Sequence, residues 1–276
     1  MGGGGVAGPP GAGKSTLIEA LGLHILSLGN ARVAVLAVDP SSSRTGGSIL
    51  GDAARMPDLS RAAGAYVRPS PNRGTLGGLA PATADAVLLC EAAGHGVILV
   101  ETVGLGQSEV AIADVVDVTL LVLAPAAGDE LQGAKKGIVE VADVLVVNKA
   151  DGNFENAAKV AASDYARALM LTRHTRPEWT PRVLTASAVT GVGIAAIWDA
   201  LMDFARTRGP ERISATRRTQ ATAAAWRVAI DILASELKDD PSSAEVAFKL
   251  GPALEDGTCA PRVAAEAIVK AFREKS

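Results

Sequence analysis

The residues best placed to do chemistry are Lys14 and Ser15, at the end of the run Gly8-Pro9-Pro10-Gly11-Ala12-Gly13-Lys14-Ser15-Thr16. Its spacing, G-x-x-x-x-G-K-[ST], is that of a loop that cradles the phosphates of a nucleoside triphosphate. Glycine is needed there because backbone N–H groups must turn inward to touch phosphate oxygens, an approach that a Cβ would block. Such a loop feeds a helix N-terminus, where unpaired N–H groups and the helix dipole favour an anion. Lys14 is then expected to reach the β- and γ-phosphates, and the Ser15 hydroxyl to ligate Mg²⁺. A second signal stands downstream. Asn148-Lys149-Ala150-Asp151 follows the apolar run Val144-Leu145-Val146-Val147, which suits a buried parallel strand. A carboxylate at Asp151 can accept two hydrogen bonds from guanine, one from the ring N–H and one from the exocyclic amine. Adenine offers no such pair of donors, and the unpaired polar groups it would leave discriminate strongly against it. Ser187-Ala188-Val189, after Val183-Leu184-Thr185, could back the base through backbone N–H groups. The ligands expected are GTP and GDP with Mg²⁺.

Three carboxylates stand where the metal would be. Asp39 ends the apolar run 33–38, Asp52 lies in the Gly-rich stretch 46–52, and Glu101 ends the run 97–100. Mg²⁺ takes oxygen ligands, keeps several waters and is usually bound through one or two carboxylates plus phosphates. Ser15, Glu101 and one of Asp39 and Asp52 would suffice. Turn chemistry explains Asp39 and Asp52 as well, since Asp favours such positions; a charge that ends an apolar strand, as Glu101 does, has no comparably simple explanation. In the segment 103–109 the Gly104 N–H is suited to bond the γ-phosphate and to release on hydrolysis. Gln107 is a candidate for orienting the attacking water. A further polar patch at 128–137, with Asp129, Gln132, Lys135 and Lys136, carries charges that a plain connector would not need.

The elements that must hold these residues alternate. Apolar, β-rich runs fall at 33–38, 97–100, 118–123, 144–147 and 183–185, with helix-like segments at 15–28, 79–93, 131–141, 155–172 and 193–206. Alternation of this kind predicts an α/β fold: a mostly parallel sheet with helices on both faces and its ligands at the carboxyl ends of the strands. Asp39, Glu101, Asn148 and Ser187 all follow apolar runs and obey that rule. The strand that should precede the phosphate loop is poor, because residues 1–7 contain a single good β-former, Val6. The β pattern stops near Thr207-Arg208-Gly209-Pro210, which predicts a nucleotide-binding domain over 1–207 and a C-terminal helical arm over 208–276. Trp226, Ile230, Leu233 and Leu237 form one helical stripe of the arm, and Val263, Ala267, Ile268, Ala271 and Phe272 another. The arm is small for an independent core and should pack on its own chain or on a partner.

Composition narrows the class further. The 276 residues are 48% hydrophobic and 21% charged, as in a globular protein, and a net charge of −3 argues against an extended nucleic-acid surface. No apolar stretch is long enough to span a membrane, and no signal peptide is expected. Gly2 invites myristoylation, but position 6 is Val rather than Ser or Thr. Cys90 and Cys259 show no metal-ligand spacing and suit a reduced compartment. His24, His95 and His174 are scattered and read as structural or exposed.

Taken together, GPPGAGKST at 8–16, AVDPSSSRTGGSILGDAARM at 37–56, ETVGLGQSE at 101–109, GDELQGAKKGI at 128–138 and NKAD at 148–151 resemble the MeaB/ArgK family of P-loop GTPases in the SIMIBI class. The match runs through 6–207; the tail, with Arg217, Gln220 and Trp226, is looser. The resemblance implies a GTPase chaperone that gates adenosylcobalamin loading and protects methylmalonyl-CoA mutase. It implies a metal site at Asp39, Asp52 and Glu101, switches at 39–56 and 101–109, a third switch at 128–138 that couples to the mutase and contains Lys135, and a homodimer formed through the arm. A bacterial cytoplasm and a mitochondrial matrix both fit. The chain departs from the family in having glycines where the first strand should be and no helical extension before it. Three other readings compete. A small-molecule or protein kinase would need an acceptor pocket and a base. A nickel-insertion GTPase would need His- or Cys-rich tracts, and the sequence has none. A GTP-dependent binding module would barely hydrolyse GTP.

Overall fold

A computed structural model describes residues 2–29, 31–39, 55–71, 81–102, 111–125, 141–170 and 176–274. Seven strands lie within them: β1 (Gly3–Ala7), β2 (Val33–Asp39), β3 (Ala65–Pro71), β4 (Val97–Thr102), β5 (Val118–Leu123), β6 (Val144–Val147) and β7 (Arg182–Thr185). All pair in parallel, in the spatial order β3-β2-β4-β1-β5-β6-β7. The described helices are α1 (Lys14–Ser27), α2 (Pro57–Arg61), α3 (Pro81–Ala92), α4 (Glu155–Met170), α5 (Ile194–Asp239), α6 (Pro241–Glu255) and α7 (Pro261–Arg273).

β2, β4, β5 and β6 read as largely apolar runs because both faces of the sheet are covered. Val33 and Val35 join a core with Leu17, Ile18, Leu21 and Ile25 of α1 and with Ile194, Ile197 and Phe204 of α5. Their neighbours Ala34 and Leu36 join the opposite core, with Val87 and Cys90 of α3 and Tyr165 and Leu169 of α4. Alternate residues thus serve alternate faces, and each large aliphatic side chain fully removed from water contributes about 1.5–3 kcal/mol.

Two strands differ from the expectation. The glycine run does form β1, and β1 is central: Gly4 is level with Leu99 of β4 on one side and Val118 of β5 on the other. Its neighbours supply the side chains it lacks. A Cβ on Gly5 would fall 2.6 Å from Ile112 Cδ1 and 2.9 Å from Val116 Cγ2, so the space that a β-former would fill is already taken. β3, with Pro69 and Pro71, is not evident from pattern. It lies at the sheet edge, where a missing N–H costs no ladder bond.

The chain divides into two compact units, Met1–Gln220 and Ala221–Ser276. Within α5, Gly209 has φ 68° and ψ 161°, Pro210 follows, and the helix then resumes to Asp239. The segments expected to be helical at 15–28, 79–93, 155–172 and 193–206 correspond to α1, α3, α4 and the first part of α5; of 131–141 only Val141 is described. In the second unit, the Asp240 carboxylate accepts from the Ser243 N–H at 2.8 Å and caps α6, with Pro241 in the first turn. Trp226, Ile230 and Leu233 are 70%, 62% and 57% exposed.

At the amino end of β6, the buried Asp143 carboxylate accepts from the Thr119 N–H at 2.8 Å and pairs with Arg176. Trp179 Nε1 donates to the Asp143 carbonyl at 2.8 Å. Burial pushes the Asp143 carboxyl above the ordinary carboxylate range, against the opposing pull of Arg176.

Candidate active site

β1 runs straight into the phosphate loop, and backbone geometry there demands glycine. Gly8 has φ 146°, and a Cβ on it would fall 2.0 Å from the Val122 carbonyl oxygen. Gly13, left-handed at φ 85°, precedes α1, whose first turn receives no side-chain cap. That N-terminus presents amide N–H groups and the positive end of the dipole together, an arrangement that favours an anion. Lys14 is buried. Its Nζ donates to the Gly8 carbonyl at 2.7 Å and the Pro9 carbonyl at 3.0 Å. The ammonium is therefore held over the loop by the loop's own backbone.

Sheet register brings Glu101 to the same place. It is level with Val6 of β1, two residues before Gly8, and is 8% exposed. The Ser15 hydroxyl donates to Glu101 Oε1 at 2.8 Å. Two hard oxygens thus meet at the phosphate end of α1, across 86 residues of sequence, and this donor set suits Mg²⁺. β2 ends at Asp39, one residue past Val38, which is level with Thr102. Its backbone is at the same edge of the sheet, while its side chain is outside the description. Asp52, Gly104, Gln107, Asp129, Gln132, Lys135 and Lys136 also lie outside the described residues.

The base motif touches the phosphate loop directly. Asn148, fully buried, donates from Nδ2 to the Ala12 carbonyl at 3.0 Å and the Gly13 carbonyl at 3.3 Å. Its Oδ1 accepts from the Ala188 N–H at 3.1 Å. A Cβ on Gly13 would lie 2.6 Å from Asn148 Nδ2, so this glycine also gives the asparagine room. Lys149 adopts a left-handed φ of 59°, a conformation uncommon outside glycine. It lies between Asn148, which faces the phosphate loop, and Asp151, which opens the turn Gly152–Phe154. The third segment is held rather than free. The Ser187 N–H donates to the Val192 carbonyl at 2.9 Å, and Ser187 Oγ accepts from the Thr190 N–H at 3.1 Å. With the Ala188 N–H also bonded to Asn148, this loop anchors the asparagine. Val189 is exposed. The bridging by Asn148 was not readable in the motif itself; its partners are 136 residues before it and 40 after it.

A parallel sheet, a phosphate loop between β1 and α1, and an N-K-x-D motif after β6 define a P-loop GTPase. The chain belongs to the MeaB family: the model of the methylmalonyl Co-A mutase-associated GTPase MeaB matches residues 4–242. A Caulobacter vibrioides protein named as a GTPase is 47% identical over 269 residues, covering 97% of this chain and 82% of its own length. The mitochondrial methylmalonic aciduria type A homolog of Mus musculus is 44% identical, over 98% of this chain and 65% of that one. The crystal structure of a LAO/AO transport system kinase is 34% identical, with a TM-score of 0.76, over 99% of this chain and 82% of that one. The protein is a GTP hydrolase.

Proposed function

We propose that this GTPase is a switch that gates adenosylcobalamin loading of methylmalonyl-CoA mutase, or a related acyl-CoA mutase, and protects that enzyme. The observation that carries the nucleotide chemistry is the joint construction of the site, in which Asn148 ties the base motif to the loop that holds Lys14. The client is supported by the family's mutase-associated description and by the name of the mouse relative. Lys14 neutralises phosphate charge, Asp151 selects guanine and Ser15 with Glu101 would hold Mg²⁺. When bound, the metal supplies charge neutralisation at the β- and γ-phosphate oxygens. Asp39 and Asp52 complete that site, the Gly104 N–H senses the γ-phosphate, and Gln107 orients water. Asp129, Gln132, Lys135 and Lys136 carry the signal to the client. The active form is a homodimer built through the arm over 208–276. A bacterial cytoplasm and a mitochondrial matrix would both suit it.

The test is steady-state GTP hydrolysis, alone and with the mutase, with ATP as control. Stimulation by the mutase that is specific to GTP and lost in Lys14→Ala is expected. GTP turnover that the mutase leaves unchanged would exclude this client. The relative described as a transport system kinase keeps one alternative in view, and transfer of labelled phosphate to an acceptor rather than to water would establish it.

A further inference from the structure

The strand that leads into the phosphate loop is covered by a turn, and a later helix holds that turn. Ile112–Asp114 form one turn of 3₁₀-helix. Ile112 and Val116, both buried, occupy the space beside Gly5. The Asp117 N–H donates to the Gly3 carbonyl at 2.8 Å. The turn and β1 are therefore one packed unit, joined by a hydrogen bond and by a contact that a Cβ would abolish.

Two side chains of α5, three residues apart and so on one helix face, grip this unit from outside. Gln220 Nε2 donates to the carbonyls of Ala113 at 2.8 Å and Val116 at 2.9 Å. Arg217 binds Asp117 with both prongs, Nε to Oδ1 at 2.7 Å and Nη2 to Oδ2 at 2.6 Å, and Nη2 also reaches Glu91 Oε1 of α3 at 3.1 Å. The fork packs against the start of β1: a Cβ on Gly2 would fall 1.5 Å from Arg217 Nη2. Water could satisfy the carbonyls of an exposed turn. Here they are instead gripped from a helix that has resumed after Gly209 and that continues past Gln220 into the second unit.

We propose that Arg217 and Gln220 are positioning residues that couple the phosphate-loop strand to the helix over 210–239, so that GTP and GDP set different states of that helix. Packed elements with two arrangements transmit a shift in this way, and the coupling is reciprocal. The inference goes beyond the mutase reading and holds whichever client the protein serves.

Hydrogen–deuterium exchange of the full chain tests it, with saturating GDP or a non-hydrolysable GTP analogue and the amides of 221–239 as the readout. In the unaltered protein the two nucleotides should give exchange rates that differ by about fivefold, the scale of one ordinary hydrogen bond. Gln220→Ala, which leaves the Arg217–Asp117 pair intact, should remove most of that difference. Arg217→Lys, which keeps the charge but loses the fork, should reduce it. No nucleotide dependence in the unaltered protein would overturn the proposal. So would a Gln220→Ala variant that exchanges faster in both states but keeps the full difference, since that is the behaviour of a merely structural clamp.

Discussion

Asp151 and Asn148 stand three residues apart and do different work. In the proposed function Asp151 is an acceptor for two guanine donors, whereas Asn148 faces the protein on both sides, donating to Ala12 and Gly13 and accepting from Ala188. Replacing the acceptor should change the base that is read without disturbing the loop. Asp151→Asn is expected to weaken GTP by roughly a hundredfold or more, because the new amide keeps one acceptor for the ring N–H but turns a donor onto the exocyclic amine. It should favour XTP, whose C2 carbonyl accepts from the new amide. Competition binding with a fluorescent nucleotide measures both changes. The four-residue motif displays the proposed role of Asp151, because that role needs only the right group at the end of a strand. The role of Asn148 is not displayed, because its partners come from two distant loops.

At the scale of elements, position matters more than propensity. β1 is poor in β-formers yet central, and its glycines accept the side chains of neighbouring segments. Gly5→Val should therefore destabilise despite raising strand propensity. Overpacking against Ile112 and Val116 costs about 1–3 kcal/mol, to be read as a lower denaturant midpoint with an unchanged slope. At the amino end of β6, Arg176→Met leaves the Asp143 carboxylate buried without that cation, a change worth about 3–5 kcal/mol near neutral pH. The pH dependence follows from the direction of the shift. Burial raises the folded-state pKa of Asp143, and losing Arg176 removes an influence that lowers it. An acid raised in the folded state stabilises below its unfolded pKa and loses that contribution as pH rises through the folded pKa. The deficit of Arg176→Met should thus shrink on acidification, in chemical-denaturation curves taken from neutral pH down to about pH 4. α2 shows the same dependence on context. It has only five residues, and the Glu19 carboxylate of α1 accepts from the N–H groups of Asp58 at 2.9 Å and Leu59 at 3.3 Å. A neighbour, rather than its own sequence, caps it.

The whole molecule joins a nucleotide unit to a helical unit of 56 residues, Ala221–Ser276. Domains of that size bury a small fraction of their surface and are marginal on their own. Trp226, Ile230 and Leu233, exposed on successive turns, give the helix an apolar stripe of the sort that marks an interaction surface. If the arm forms the proposed homodimer, Ile230→Asp with Leu233→Asp should convert the protein from dimer to monomer in light scattering. A dimer that survives both substitutions would place the contact elsewhere.

The class of ligand was legible from sequence alone, and so was the alternation of strands and helices. The reason is locality: a phosphate loop needs particular backbone conformations at consecutive positions, a guanine acceptor needs one carboxylate at a strand end, and covered strands need unbroken apolar runs. Tertiary structure decided the rest. It made a strand of the glycine run, because Ile112 and Val116 fill the space beside it. It admitted a proline-containing strand at the sheet edge and seated Glu101 against Ser15. It also placed Arg217 and Gln220 on the turn above β1, about a hundred residues away in the chain. Each of these is a contact between segments remote in sequence, and no pattern within either segment records the other.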